Sequence, residues 1–440
     1  MTRSDVCAGV ARVGALALLV IGASCDDAGP PGAAADTAPT TLLDAGRNLE
    51  VGPAVGGQSG GGGVEAGAGG AGGAGGAVGA DAPVGNDAGP GDTAADAPLS
   101  VDGPGGRAGK LDLVFMIDNS NSMAQKQQAM RAAFPALIQA LAARPGGLPD
   151  LHIAIISSNV GAGPGQPAAE CPPGGDRGSF QILQDCGVDP AALSFLSIDG
   201  SGQANFPGGA ANLATTFQCL AQLGTKGCGY EHQLLSLYFA LDGKTNGKNR
   251  GFLRDDAVLG VVLLSDEDDC SGAPDANFFD GSVMGQSGSL RCALLGHVCN
   301  AQPVPAMPFT APLAFCAPYQ RRPGEEKSRL VDVKFFVDAL TLAKAGRADR
   351  IFVASIIGWS EDPAAQYSLK QVNTSRGLEL DLAPICSDPA SGTATPAIRL
   401  HSFAKSFPHN GVFSICASDL GPPMTQIGNQ LSTLVDTAQP

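Results

Sequence analysis

Residues 111–117, 151–157, 257–265 and 351–358 are apolar at nearly every position, so strands formed there must be buried on both faces. Between them the apolar period changes. Met130, Phe134, Leu137, Ile138 and Leu141 recur at helical spacing, as do Leu330, Val333, Phe336, Val337 and Leu340. Further helices are expected over 217–223, 230–241, 400–407 and 424–435, with strands over 412–416 and, at a sheet edge, 195–198. Two-faced strands alternating with helices define an α/β class, a doubly wound, mostly parallel central sheet with helices on both faces. Pro135 deletes one backbone donor inside the first helix and should loosen it locally. Two segments rich in Gly, Pro and Cys, at about 161–209 and 270–327, read as disulfide-containing loop insertions.

This folding pattern begins only at residue 109. Residues 1–24 read as a signal peptide, with Arg3 and Arg12 before an apolar stretch too short to span a bilayer. Gly22, Ala23 and Ser24 precede Cys25 as at a bacterial lipoprotein processing site, although Gly22 stands where such sites usually carry Leu. Lipidation of Cys25, giving a membrane anchor, and simple cleavage with release both stay open. Residues 25–108 consist largely of Gly, Ala, Asp and Pro and lack the apolar side chains that would offset the entropy of ordering them. They are expected to form a tether that holds the folded part on the order of 50 Å from an anchor.

Apart from Cys7 and Cys25, the cysteines are Cys171, Cys186, Cys219, Cys228, Cys270, Cys292, Cys299, Cys316, Cys386 and Cys416, an even set that implies disulfides outside the cytosol. Sequence proximity suggests Cys171 with Cys186 and Cys219 with Cys228. No Cys-x-x-Cys or His-Glu-x-x-His spacing points to zinc. The formal net charge of −15 and the absence of a basic cluster argue against nucleic acid as a partner. The expected location is the bacterial cell envelope, lipid-anchored or secreted.

Asp118, Ser120 and Ser122 follow the first strand as Asp-x-Ser-x-Ser, and Asp266 follows the third in Val-Val-Leu-Leu-Ser-Asp. One carboxylate and two hydroxyls on a tight turn offer hard oxygen ligands to a small cation. Strand ends of a parallel sheet are where distant segments share one crevice. The alternative for Ser122 is structural, a capping box with Gln125 at the start of the first helix.

These residues resemble the von Willebrand factor type A domain and its metal-ion-dependent adhesion site, over roughly residues 110–436. The resemblance implies a Rossmann-like fold and a metal site of Asp118, Ser120, Ser122, Thr225 and Asp266, with Thr225 supplied by the Gly-rich loop Gly-Thr-Lys-Gly-Cys-Gly. It implies Mg2+, or Mn2+ or Ca2+, with the open coordination position taken by an acidic side chain of a protein partner. Two departures matter. Glu267, Asp268 and Asp269 stand where the family usually continues with Gly, and lengthening of the threonine loop leaves Glu231 as a rival to Thr225. The expected role is a cell-surface or secreted, cation-dependent adhesion or protein-binding module and not an enzyme. Alternatives are a structural envelope module without metal and a metal-dependent hydrolase using Glu267, Asp268 or Asp269 as base.

Overall fold

A computed structural model describes residues 109–161, 175–191, 193–273, 287–304, 313–360, 367–374 and 377–438. The signal peptide, Cys25, the tether and Cys171 lie outside the described residues.

The chain runs β1 (Lys110–Ile117), α1 (Ala124–Ala142), β2 (Asp150–Ser157), β3 (Leu196–Ile198), α2 (Leu213–Leu220), α3 (Gln233–Leu241) and β4 (Val258–Ser265). There follow α4 (Gly288–Gly296), β5 (His297–Cys299), β6 (Gln302–Pro303), β7 (Ala317–Pro318), α5 (Val333–Ala343) and β8 (Ile351–Ile357). Two hairpins, β9 (Leu369–Thr374) with β10 (Gly377–Leu382) and β11 (Cys386–Asp388) with β12 (Gly392–Ala394), precede α6 (Ile398–Lys405), β13 (His409–Ser414) and α7 (Gly421–Thr437). The protein is a mixed α/β structure whose central sheet has six strands in the order β13-β8-β4-β1-β2-β3. All neighbours are parallel except β3, which is antiparallel to β2.

The pleat sends alternate side chains into two cores. Leu111, Leu113, Phe115 and Ile117 of β1 join residues of α1, α2 and α7, where the rings of Phe134 and Phe217 stack 3.6 Å apart. Val114 and Met116 join residues of α3, α5 and α6. Pairing of Ile117 with both Ser157 and Leu264 brings the carboxyl ends of β1, β2 and β4 level. The apolar run that made these strands legible therefore also sets the height of the site.

α1 continues through Pro135. The carbonyl of Arg131, which loses its helical donor there, accepts instead from Gln218 Nε2 at 3.0 Å, and Arg131 Nε donates back to the carbonyl of Gln218. The missing bond is thus replaced from α2. On another side of α1, Gly428 of α7 allows close approach, since a Cβ there would lie 2.6 Å from Ala140 Cβ.

Four disulfides are present among the described residues: Cys186–Cys219, Cys270–Cys292, Cys299–Cys316 and Cys386–Cys416. The expected pairs Cys171–Cys186 and Cys219–Cys228 are overturned, because Cys186 and Cys219 bond to each other where a short turn packs on α2. Cys228 is also disulfide-bonded. The described residues of the insertion at 270–327 include α4 and the small sheet of β5, β6 and β7, which its composition does not suggest.

At the opposite end of β1, buried Asp112 accepts from Arg254 through the backbone N and Nε, both at 2.7 Å. Burial outweighs the guanidinium and pushes the Asp112 carboxyl up from 3.8 to about 6. A folded-state value above the unfolded one favours the fold fully below 3.8, and that contribution is lost as pH rises through about 6. The unfolding free energy of Asp112→Asn should therefore gain on wild type by up to about 3 kcal/mol between about pH 4 and pH 7. Urea unfolding across that range measures it, and a constant difference between the two proteins contradicts it.

Candidate cation-binding site

Asp118 leaves β1 with its backbone N donating to the carbonyl of Leu264, the last pairing step toward β4. Its carboxylate is buried and enclosed by donors. Oδ1 accepts from Ser120 N at 2.8 Å and Ser158 Oγ at 3.2 Å, and Oδ2 accepts from Ser265 Oγ at 2.7 Å. Behind it, Gln127 Nε2 donates to the carbonyls of Asp118 and Gly224, each at 2.8 Å, joining the Asp118 turn to the Gly-rich loop. That loop comes close because Gly227 has no side chain; a Cβ would lie 2.1 Å from Asn119 Oδ1.

Ser122 Oγ lies 3.4 Å from Ser120 Oγ and donates to Asp266 Oδ1 at 3.1 Å. The helix-capping alternative for Ser122 is not adopted, since α1 has no side-chain cap and its N-cap residue is Met123. The hydroxyl is directed across the site. Asp118, Ser120, Ser122 and Asp266, from two segments far apart in sequence, thus belong to one hydrogen-bonded group.

Thr225 is placed differently. It lines a neighbouring cleft of about 500 Å3 with Gln127, Gln128, Arg131, Gln218 and Gln222, and no hydrogen bond joins it to the acidic group among the described residues. Glu231 is the buried neighbour instead. Its carboxyl is pushed well above the usual range by burial first and then by the charges of Glu267, Asp118 and Asp266. Burial, followed by Asp266, raises Asp118 to about 6 and Glu267 to about 8, while a hydrogen bond from Ser289 Oγ at 2.7 Å opposes the rise at Glu267. Four carboxyl groups share one poorly hydrated region, an arrangement that favours uptake of positive charge.

A positive group is present. Lys126, in the first turn of α1 and 2 % exposed, places Nζ 2.8 Å from Asp266 Oδ2 and 3.2 Å from the carbonyl oxygen of Ser122. Sequence reading passed over this lysine. The available signal was a cation in the first turn of a helix, where the macrodipole disfavours it unless an anion lies nearby. Ser158 and Ser265 were also missed, and both sit at strand ends beside Asp118.

The acidic run after Asp266 has separate duties. Asp268 Oδ2 accepts from Arg399 N at 2.8 Å and Oδ1 from Leu400 N at 3.1 Å, so this carboxylate caps α6 from another loop. It also accepts from His297 Nε2 at 2.6 Å, and His297 Nδ1 meets the Tyr367 hydroxyl. Asp269 Oδ1 accepts from Leu234 N at 2.9 Å, while Ser271 Oγ accepts from Leu235 N at 2.9 Å, which together cap α3. Asp269 Oδ2 accepts from Arg399 Nε and Nη2 at 3.1 and 2.9 Å. The residues replacing the expected glycine are thus helix anchors, apart from Glu267.

Among the described residues, no three His, Cys, Asp or Glu side chains form a metal-ligating group. A divalent ion here would rely on the Ser120 and Ser122 hydroxyls as well as the carboxylates, and the donor chemistry, hard oxygen throughout, suits Mg2+ or Mn2+. No helix among the described residues is long and apolar enough to cross a membrane.

No protein-family model matches the chain, and no curated protein does. Among solved structures, the adhesive tip pilin GBS104 from Group B Streptococcus agalactiae is similar at 12% identity with a TM-score of 0.27. The match covers 75% of this chain and 62% of that one, so this chain spans less than two thirds of the pilin's length. The disulfides belong to an oxidising compartment outside the cytosol.

Proposed function

We propose that the chain is a doubly wound, von Willebrand A-like binding module at the bacterial cell surface, secreted or held through a lipidated Cys25, that recognises a protein partner with the help of a divalent cation. The observation that carries this reading is the hydrogen-bonded group of Asp118, Ser120, Ser122 and Asp266 at the carboxyl ends of β1 and β4. Those four residues would hold the ion, with Glu231 or Thr225 as a fifth; Glu231 is favoured because its carboxyl feels the charges of Asp118 and Asp266. When bound, the ion supplies a position for an acidic side chain of the partner. Occupation of Asp268 and Asp269 as helix caps removes two of the three bases that a hydrolase would draw on.

Calorimetric titration of Mg2+, Mn2+ and Ca2+ into the full chain, beside Asp118→Ala and Ser120→Ala, tests the proposal. A saturable heat in the wild type that disappears in Asp118→Ala is expected. Identical traces for wild type and both variants would remove the cation from the function. That outcome would favour a metal-free structural envelope module, for which the Lys126–Asp266 ion pair already offers an internal source of positive charge.

A further inference from the structure

Lys126 already pairs with Asp266, a carboxylate that a bound ion would need, and it does so by construction. Side chains on a helix lean toward its N-terminus, so a lysine in the first turn of α1 reaches back over the Ser122 turn that precedes it. Its Nζ meets one carboxylate oxygen and one carbonyl oxygen, ligand types that a hard cation also accepts. The hairpin of β11 and β12 closes over it, since a Cβ on Gly392 would lie 3.2 Å from Lys126 Nζ. Thr395, just after that hairpin, donates its backbone N to the carbonyl of Asp266 at 2.9 Å. The ammonium is therefore enclosed by helix, site loop and hairpin.

We infer that Lys126 is a tethered resident cation, which neutralises Asp266 while no divalent ion is bound and must withdraw for one to enter. The inference rests on the cation reading above and adds the competitor. Two physical points support it. The desolvation cost of a buried ion pair largely cancels its attraction, so the Lys126–Asp266 pair gives up little when it is exchanged. Among the described residues no cation pairs with Asp118, Glu231 or Glu267, and a divalent ion would bring twice the charge of one ammonium to this group.

The experiment pairs two measurements on the full chain. Mg2+ is titrated calorimetrically into wild type, Lys126→Met and Lys126→Gln. In parallel, wild type is acetylated with acetic anhydride with and without Mg2+, and each lysine is read by mass spectrometry. The neutral variants are expected to bind Mg2+ about tenfold or more tightly than wild type, within the usual range of coupling between competing ligands. Mg2+ should raise acetylation of Lys126 severalfold and leave the exposed Lys110 unchanged. Equal Mg2+ affinities, or Lys126 acetylation indifferent to Mg2+ while Mg2+ binds, overturn the competition and leave the cation reading standing. Absence of Mg2+ binding in all three chains overturns this inference, and absence of Mn2+ and Ca2+ binding as well overturns the cation reading with it. The acetylation arm uses wild type alone, so it decides the matter even if the variants fail to fold.

Discussion

Replacing Arg399 by methionine is expected to cost about 3–5 kcal/mol of unfolding free energy, because it breaks a buried ion pair by removing one partner. Arg399 and Asp269 are both 0% exposed, and the guanidinium donates twice to a single carboxylate oxygen. Its Nη2 also donates to the carbonyl of Val331 at 2.6 Å, fastening the segment before α5. Without it, the Asp269 carboxylate would be left buried with only Ser271 and the first-turn amide of α3 as partners. The matched double variant Asp269→Asn with Arg399→Met should be less destabilised than the sum of the single ones, since it leaves no stranded charge. Denaturant unfolding of all four proteins measures this. A loss below about 1 kcal/mol in Arg399→Met would show that the pair contributes little beyond its own desolvation cost.

Removing the Cys386–Cys416 bridge should have an effect of similar size and a second, local readout. The bridge closes a loop with a sequence separation of 30, for which the chain-entropy account gives about 4 kcal/mol, within the 2–5 kcal/mol that loss of a native disulfide costs in small secreted domains. It joins the first strand of the β11–β12 hairpin to the end of β13, and Gly392 of the same hairpin lies against Lys126. Converting both cysteines to serine is therefore expected to lower the melting temperature and to raise acetylation of Lys126 in the folded chain. Unchanged acetylation at a temperature where the variant is fully folded would show that the hairpin holds its place without the bridge.

Much of this architecture was legible because its central strands are buried on both faces. The runs that became β1, β2, β4 and β8 could be read as a parallel sheet, and their ends located Asp118 and Asp266. The sequence order Asp-x-Ser-x-Ser likewise identified oxygens that do converge. The hairpins were harder. Residues 377–382, Gly-Leu-Glu-Leu-Asp-Leu, alternate as a half-buried strand does, yet sequence reading assigns no element between β8 and α6. The roles of Asp268 and Asp269 were not legible at all. The amides they cap, in Arg399, Leu400 and Leu234, are more than 30 residues away, and local spacing carries no trace of such partners. The disulfides failed for the same reason, since Cys186 reaches Cys219 only after α2 has packed.

The double anchoring of the β4 loop makes the two sides of the site mechanically unequal. Asp266 sits two and three positions ahead of carboxylates that clamp the starts of α6 and α3, so its side behaves as a fixed jaw. The opposite jaw, the turn from Asp118 to Ser122, is continuous with α1, which is held to α2 by the Phe134–Phe217 stack and the Arg131–Gln218 exchange and to α7 by close packing at Gly428. Any opening of the crevice should thus leave the β4 loop in place and be confined to the Ser120–Ser122 part of the turn, since Asp118 is itself bonded to Leu264 and Ser265.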